Sequence, residues 1–155
     1  MSDVHEIFAI KYGRHERKKA ENYIGGDPHD TSEPIDYYVW AITGPSGTFV
    51  VDTGFDAAMA KKRGRVISKP IAEGLKAIDI APDSVKDVII SHLHYDHCGN
   101  YDTFPNARFH LQDTEMAYAT AAACATSTCA SRSRKKTWSR WCARCLPAAS
   151  RSTTG

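Results

Sequence analysis

The sequence predicts an α/β fold with helices layered over a sheet, and two observations carry the prediction. Short runs rich in β-branched and aromatic residues recur from the N-terminus to residue 112, the composition of strands. Between them lies a stretch with apolar residues three and four apart, the spacing of a helix with one buried face. From the third strand on, the order strand–helix–strand–strand–helix suits layered packing around one core. At 155 residues the chain can form one domain of ordinary size.

Taken in order, "HEIFAIKYG" (5–13) and "IDYYVWAIT" (35–43) read as strands. The polar stretch between them carries Gly-Gly and two prolines and reads as a long surface connection. "GPSG" (44–47) is a turn that leads into "TFVVDTG" (48–54), making a hairpin. Ile71, Leu75 and Ile78 then mark an amphipathic helix, with Pro70 in its first turn and Ser68 as a cap. "VKDVIISHLH" (85–94) is a buried strand and "NARFHLQ" (106–112) a further short one. "DTEMAYAT" begins a helix with Asp113 as its N-cap.

Charge divides the chain unevenly. The net charge is +2, but from Met116 onward there are seven Lys/Arg and no Asp or Glu. Residues 120–155 draw 29 of 36 positions from Ala, Ser, Thr, Arg and Cys. Such a segment has too little apolar surface to offset the entropy of ordering, so a disordered basic tail is expected there. The organisation expected is therefore a domain over 1–119 and a low-complexity tail over 120–155. No signal peptide and no apolar run of membrane-spanning length is evident, which makes the cytoplasm the expected compartment and excludes a membrane partner. Four of the five cysteines (Cys124, Cys129, Cys142, Cys145) lie in the tail, and reduced thiols are expected.

The chemistry concentrates in "SHLHYDHCGN" (91–100). His92, His94, Asp96 and His97 are four ligand-type residues in six positions, directly after a strand. If the strand continues extended, His92, His94 and Asp96 project from one side. Asp96 and His97 are adjacent, so a bend is needed, and Gly99 suits one. A lone histidine is more often a hydrogen-bonded core or surface residue, but this density of imidazole and carboxylate is what zinc and related ions accept.

"HLHYDH" resembles the HxHxDH motif of the metallo-β-lactamase superfamily, and "TFVVDTGF" resembles the strand-end aspartate motif upstream of it. The stretches "YGRHERKKAENYIGGDPHDTSEPIDYYVWAI" and "SHLHYDHCGNYDTFPNARFHLQDTEMAYA" are similar to the N-acyl homoserine lactonase branch, over about residues 5–119. The resemblance implies the N-terminal half of an αββα metallo-β-lactamase-type sandwich. It implies quorum-quenching hydrolysis of a small-molecule lactone or ester, the ring opened by metal-bound hydroxide, with two zinc ions as cofactor. His92 and His94 would bind the first ion, and Asp96 and His97 the second. Asp96 would also handle the proton passed to the leaving group. Asp52 would steady the metal-binding loop from outside the ligand set. It reads almost equally well as a turn aspartate bonding nearby backbone in "DTG".

Members of that superfamily add a further histidine, an aspartate bridging both ions and a last histidine. Beyond His97 this sequence holds only His110, which reads as a strand residue, and beyond Glu115 it holds no carboxylate side chain. The expectation is a truncated or frameshifted chain, catalytically impaired or completed by a partner. A missing second sheet would leave apolar surface exposed and favour self-association. The alternative is a non-catalytic fragment whose basic tail binds acidic partners or has no function. The tail admits three readings: a zinc-ribbon-like cysteine site, a nucleic-acid-binding patch around "RSRKK" with Trp138 and Trp141, or an out-of-frame product. The third is favoured, and nucleic acid is not the expected partner.

Overall fold

The structure is a computed structural model and describes residues 4–26, 28 and 31–120. The tail readings, including the four tail cysteines and the basic run, fall outside the described residues.

Strands β1 (Glu6–His15), β2 (Ile35–Gly44) and β3 (Gly47–Val51) form an antiparallel meander, with Pro45 and Ser46 as the hairpin turn between β2 and β3. Helix α1 (Ala57–Arg63), strand β4 (Val66–Ile67) and helix α2 (Ile71–Lys76) follow. Strand β5 (Asp87–Ile89), strand β6 (Arg108–His110) and helix α3 (Asp113–Thr120) complete the described chain. The six strands make one sheet in the order β4-β1-β2-β3-β5-β6. β5 lies parallel to β3, and β6 parallel to β5. The architecture is therefore α/β, as expected.

The alternation of the strands builds two unlike faces. Ile10, Val39, Ala41, Val50 and Val88 point to one side and are buried with Ile71 and Leu75 of α2 and Ala60 of α1. That layer is the hydrophobic core. The opposite face aligns Ile7 with Ile42 and Phe49, and Trp40 with Val51 and Ile89. It is only partly covered: Ile7, Trp40 and Ile89 retain 66%, 42% and 38% of their accessible surface.

Several local expectations are corrected. The sequence reading gave no separate helix to α1. Asp56 caps it by accepting a hydrogen bond from the Met59 amide, and Gly64 ends it in the left-handed conformation. Pro70 occupies the cap position of α2 rather than its first turn, and the helix has no side-chain cap. Ser68 instead donates its amide to the Tyr12 carbonyl. Asp113 is the first residue of α3, and the Gln112 carbonyl accepts from the amides of Glu115 and Met116. β5 is three residues long and does not run on to His94. Just beyond it the Ser91 amide is taken by a side chain, and the chain turns.

Leu75 is fully buried in the core layer, whereas Lys76 on the same helix is exposed. Leu75→Ala should lower stability by about 2–5 kcal/mol through lost transfer energy and a cavity. Lys76→Ala should stay within about 0.5 kcal/mol. Urea unfolding midpoints of the two variants check this.

Candidate metal centre

The parallel pairing of β3 with β5 sets the ends of these two strands side by side, and the chain leaves each end into the site. Asp52 follows β3 with φ 64, a left-handed conformation that a short polar side chain tolerates better than most. Its amide donates to the Ile89 carbonyl at 2.8 Å. Its carboxylate is nearly buried and accepts three hydrogen bonds. The Ser91 amide reaches Oδ1 at 2.8 Å, while Ser91 Oγ and His97 Nδ1 reach Oδ2 at 2.9 and 2.7 Å. Burial opposes its ionised form, but the His97 and Ser91 bonds outweigh burial and hold the carboxyl below its ordinary range.

Residues 91–100 form a turn, not a continued strand. The amides of His97 and Cys98 both donate to the His94 carbonyl. The alternation expected for His92, His94 and Asp96 is therefore not what gathers them; the turn does this instead. Gly99 serves it by close approach. Its amide donates to the Gly54 carbonyl, and a Cβ there would lie 2.6 Å from that oxygen and 2.9 Å from Phe55 Cα.

The turn delivers two pairs of donor atoms. His92 Nε2 and His94 Nδ1 stand 3.0 Å apart, and His97 Nε2 and Asp96 Oδ2 3.7 Å apart. The His92 and His97 rings lie 3.9 Å apart between centroids. Hydrogen-bond partners dictate the tautomers. A carboxylate only accepts, so His97 Nδ1 carries a proton toward Asp52. Ser91 Oγ donates its one proton to Asp52, so its 3.1 Å contact with His92 must be accepted from Nδ1–H. A neutral His92 is left with a bare Nε2 lone pair facing His94. Burial, then the neighbouring His97 and His94, lower the His92 pKa and favour that neutral form.

These donors fit a divalent ion in type and spacing. Nitrogen ligands about 2.0–2.1 Å from a tetrahedral zinc are about 3.3 Å from one another, close to the first pair and within half an ångström of the second. The carboxylate–imidazole contact of Asp52 with His97 is the outer support common to metal-binding histidines. Among the described residues, however, no three His, Cys, Asp or Glu side chains form one ready cage. The donors come as two half-sites.

The structure brings Asp52, His92, His94, Asp96 and His97 together and leaves His110 apart. His110 Nε2 lies 2.7 Å from Asp87 Oδ1 across β5 and β6. The carboxylate of Asp52 bonds residues 39 and 45 positions away rather than the backbone of "DTG". Sequence reasoning did not identify the residues that hold the turn. Thr53 donates its amide to the His97 carbonyl at 2.7 Å, and Asn100 donates to the carbonyls of Thr53 and Phe55. The Tyr12 hydroxyl donates to the Asp96 carbonyl at 3.0 Å, and Glu115 Oε1 accepts from the Leu93 amide at 2.9 Å. Only proximity in the fold reveals these partners, since each lies far from the turn in sequence or carries no motif.

A family model described as the metallo-beta-lactamase superfamily matches residues 33–121. The N-acyl homoserine lactonase AttM of Agrobacterium fabrum (strain C58) is 34% identical over 107 residues, covering 61% of this chain and 40% of AttM. A solved quorum-quenching N-acyl homoserine lactone lactonase superposes with a TM-score of 0.60 at 22% identity, over 78% of this chain and 50% of that one. AidC, a dizinc quorum-quenching lactonase solved with a product, gives 0.59 at 16% identity, over 77% of this chain and 46% of AidC. At these identities the solved structures bear on the fold alone. The chain spans about half the length of the solved structures and less of the curated relatives it matches.

The Asp52–His97 pair makes the metal-free protein pH-sensitive in two directions. Asp52 is depressed, so its contribution is present above its ordinary value of 3.8 and is lost as pH falls through the lower folded value. For His97, burial works against the charge, but the Asp52 hydrogen bond and the Asp52 and Asp96 charges raise its pKa above 6.5. Its contribution is present below 6.5 and is lost as pH rises through the folded value. The contribution of this pair to metal-free stability should therefore plateau between about pH 4 and 6.5 and fall on both sides. Asp52→Asn should flatten both limbs in urea unfolding measured against pH.

Proposed function

The chain belongs to the metallo-beta-lactamase superfamily, and on that premise we propose that it carries the N-terminal part of a two-metal hydrolase centre of the N-acyl homoserine lactonase type. The observation that carries the reading is the pairing of donors, His92 with His94 and Asp96 with His97, each pair at the spacing of neighbours in one coordination sphere. The similarity to AttM supports a lactone as substrate.

His92 and His94 would hold the first ion through Nε2 and Nδ1, and Asp96 and His97 would hold the second through Oδ2 and Nε2. Zinc is the ion their chemistry favours. Bound there, the ions would supply Lewis-acid chemistry, polarising a carbonyl oxygen and lowering the pKa of a bound water. Asp52 holds a proton on His97 Nδ1, so in the neutral ring Nε2 is the nitrogen left to face an ion. Asp96 takes the proton released as water adds to the lactone carbonyl carbon. It returns that proton to the ring oxygen when the ester C–O bond breaks, leaving an open-chain hydroxy acid.

Two donors per ion is half of a tetrahedral set. The remaining donors must come from beyond the described residues, from a partner or from solvent. The same count favours a second reading, a non-catalytic chain that binds metal loosely. Self-association through the face of Ile7, Trp40 and Ile89 belongs to either reading. Among the described residues no helix is long and apolar enough to cross a membrane.

Zinc analysis with a homoserine lactone ring-opening assay separates the readings. Uptake near two equivalents with turnover is the expected result for the hydrolase, and Asp96→Asn should then slow ring opening by about 10²–10⁴-fold. Uptake without turnover favours the non-catalytic chain. Failure to take up zinc overturns the metal centre in both readings.

A further inference from the structure

We propose that Glu115 and Tyr12 are positioning residues that act separately, Glu115 on the His92/His94 pair and Tyr12 on the Asp96/His97 pair. The inference rests on the metal reading of those four residues and assigns roles to two others.

Each grip falls on a peptide plane within one pair. The Leu93 amide belongs to the peptide between His92 and Leu93, so the 2.9 Å bond to Glu115 Oε1 fixes how the chain passes from one histidine to the next. The Asp96 carbonyl belongs to the peptide joining Asp96 to His97, and the 3.0 Å bond from Tyr12 fixes that plane. A peptide plane has no internal freedom of rotation, so holding its N–H or C=O restrains the torsions on either side. The side chains of each pair leave the backbone at those torsions.

Both grips have the structure of fixed supports. In the β1–β2 register Lys11 faces Tyr38 and Gly13 faces Tyr37, so Tyr12 is the extra residue of a β-bulge. Bulges re-aim a side chain at the cost of a ladder position. The freed Tyr12 carbonyl is taken up by the amides of Ser68 and Lys69. The Tyr12 ring is 1% exposed and packs edge-on to Phe55 at 4.9 Å between centroids. Glu115 comes from the first turn of α3, the last element of the described chain. The two supports therefore belong to opposite ends of the described chain and share no element.

The test uses the full chain and three variants, Tyr12→Phe, Glu115→Met and Glu115→Gln. Without metal, amide hydrogen exchange reads the grips directly. Glu115→Met should speed exchange at Leu93 alone, and Glu115→Gln, which keeps an acceptor oxygen, should restore protection. Tyr12→Phe should speed exchange at His97, whose amide closes the turn on His94. Zinc is then titrated against the histidine ring resonances. Glu115→Met should weaken the response of His92 and His94 by about 10–100-fold and spare His97, and Tyr12→Phe should do the reverse. If either variant weakens both pairs alike, or Gln fails to rescue, the separate action is overturned. If the unaltered chain takes up no zinc, the metal reading fails, and the exchange pattern alone upholds or refutes the two grips.

Discussion

The arrangement depends on one buried carboxylate. Asp52 is removed from water and ionised, a costly state unless it is fully hydrogen-bonded. It meets that requirement by drawing in a backbone amide, a hydroxyl and an imidazole from a segment that begins 39 residues later. The need of the charge for donors holds the segment, and the segment carries the donor atoms of the candidate site. The left-handed backbone at Asp52 is part of the same constraint, because it swings the carboxylate off the end of β3 toward the neighbouring strand end.

Sheet topology makes this encounter possible. β3 and β5 are parallel and adjacent, so both chains leave the sheet at the same edge. Open α/β sheets bind ligands at such carboxyl ends, where consecutive loops can converge. The antiparallel meander contributes rigidity on one side, through β1 and the aromatic group of Tyr12, Tyr37 and Phe55. Tyr95, inside the turn, stacks on Phe55 and lies under the Arg63 guanidinium at 4.0 Å, a cation–π contact. Tyr95, one of the two non-ligand residues of the motif, thereby packs the turn against the core.

The three strands of the meander were legible because alternation and turn residues act locally. The donors were legible because four of them fall within six positions. The extent of β5 was not: "VIISHLH" keeps a strand-like composition through residues that Asp52 diverts into a turn, and a competitor 39 residues away leaves no local mark. Gly99 was singled out for a bend, whereas its lack of a side chain serves the contact with Gly54 and Phe55. Tyr12 and Glu115 were invisible for a different reason. A tyrosine in a strand and a glutamate in a helical first turn are ordinary there, and only the bulge and the packing of α3 give them a target.

The order of the strands has a consequence for how the molecule is made. β1, β2 and β3 are neighbours in sequence and in space, so they can pair at small entropic cost. The parallel contact of β3 with β5 requires closing a loop that spans both α1 and α2, and such non-local pairing forms late. Asp52 waits on the early part of the sheet while Ser91 and the histidines arrive with the late part. Until that pairing closes, the histidine segment lacks the grip of the Asp52 carboxylate. The turn that gathers His92, His94, Asp96 and His97 is thus a product of the last and least local pairing of the sheet.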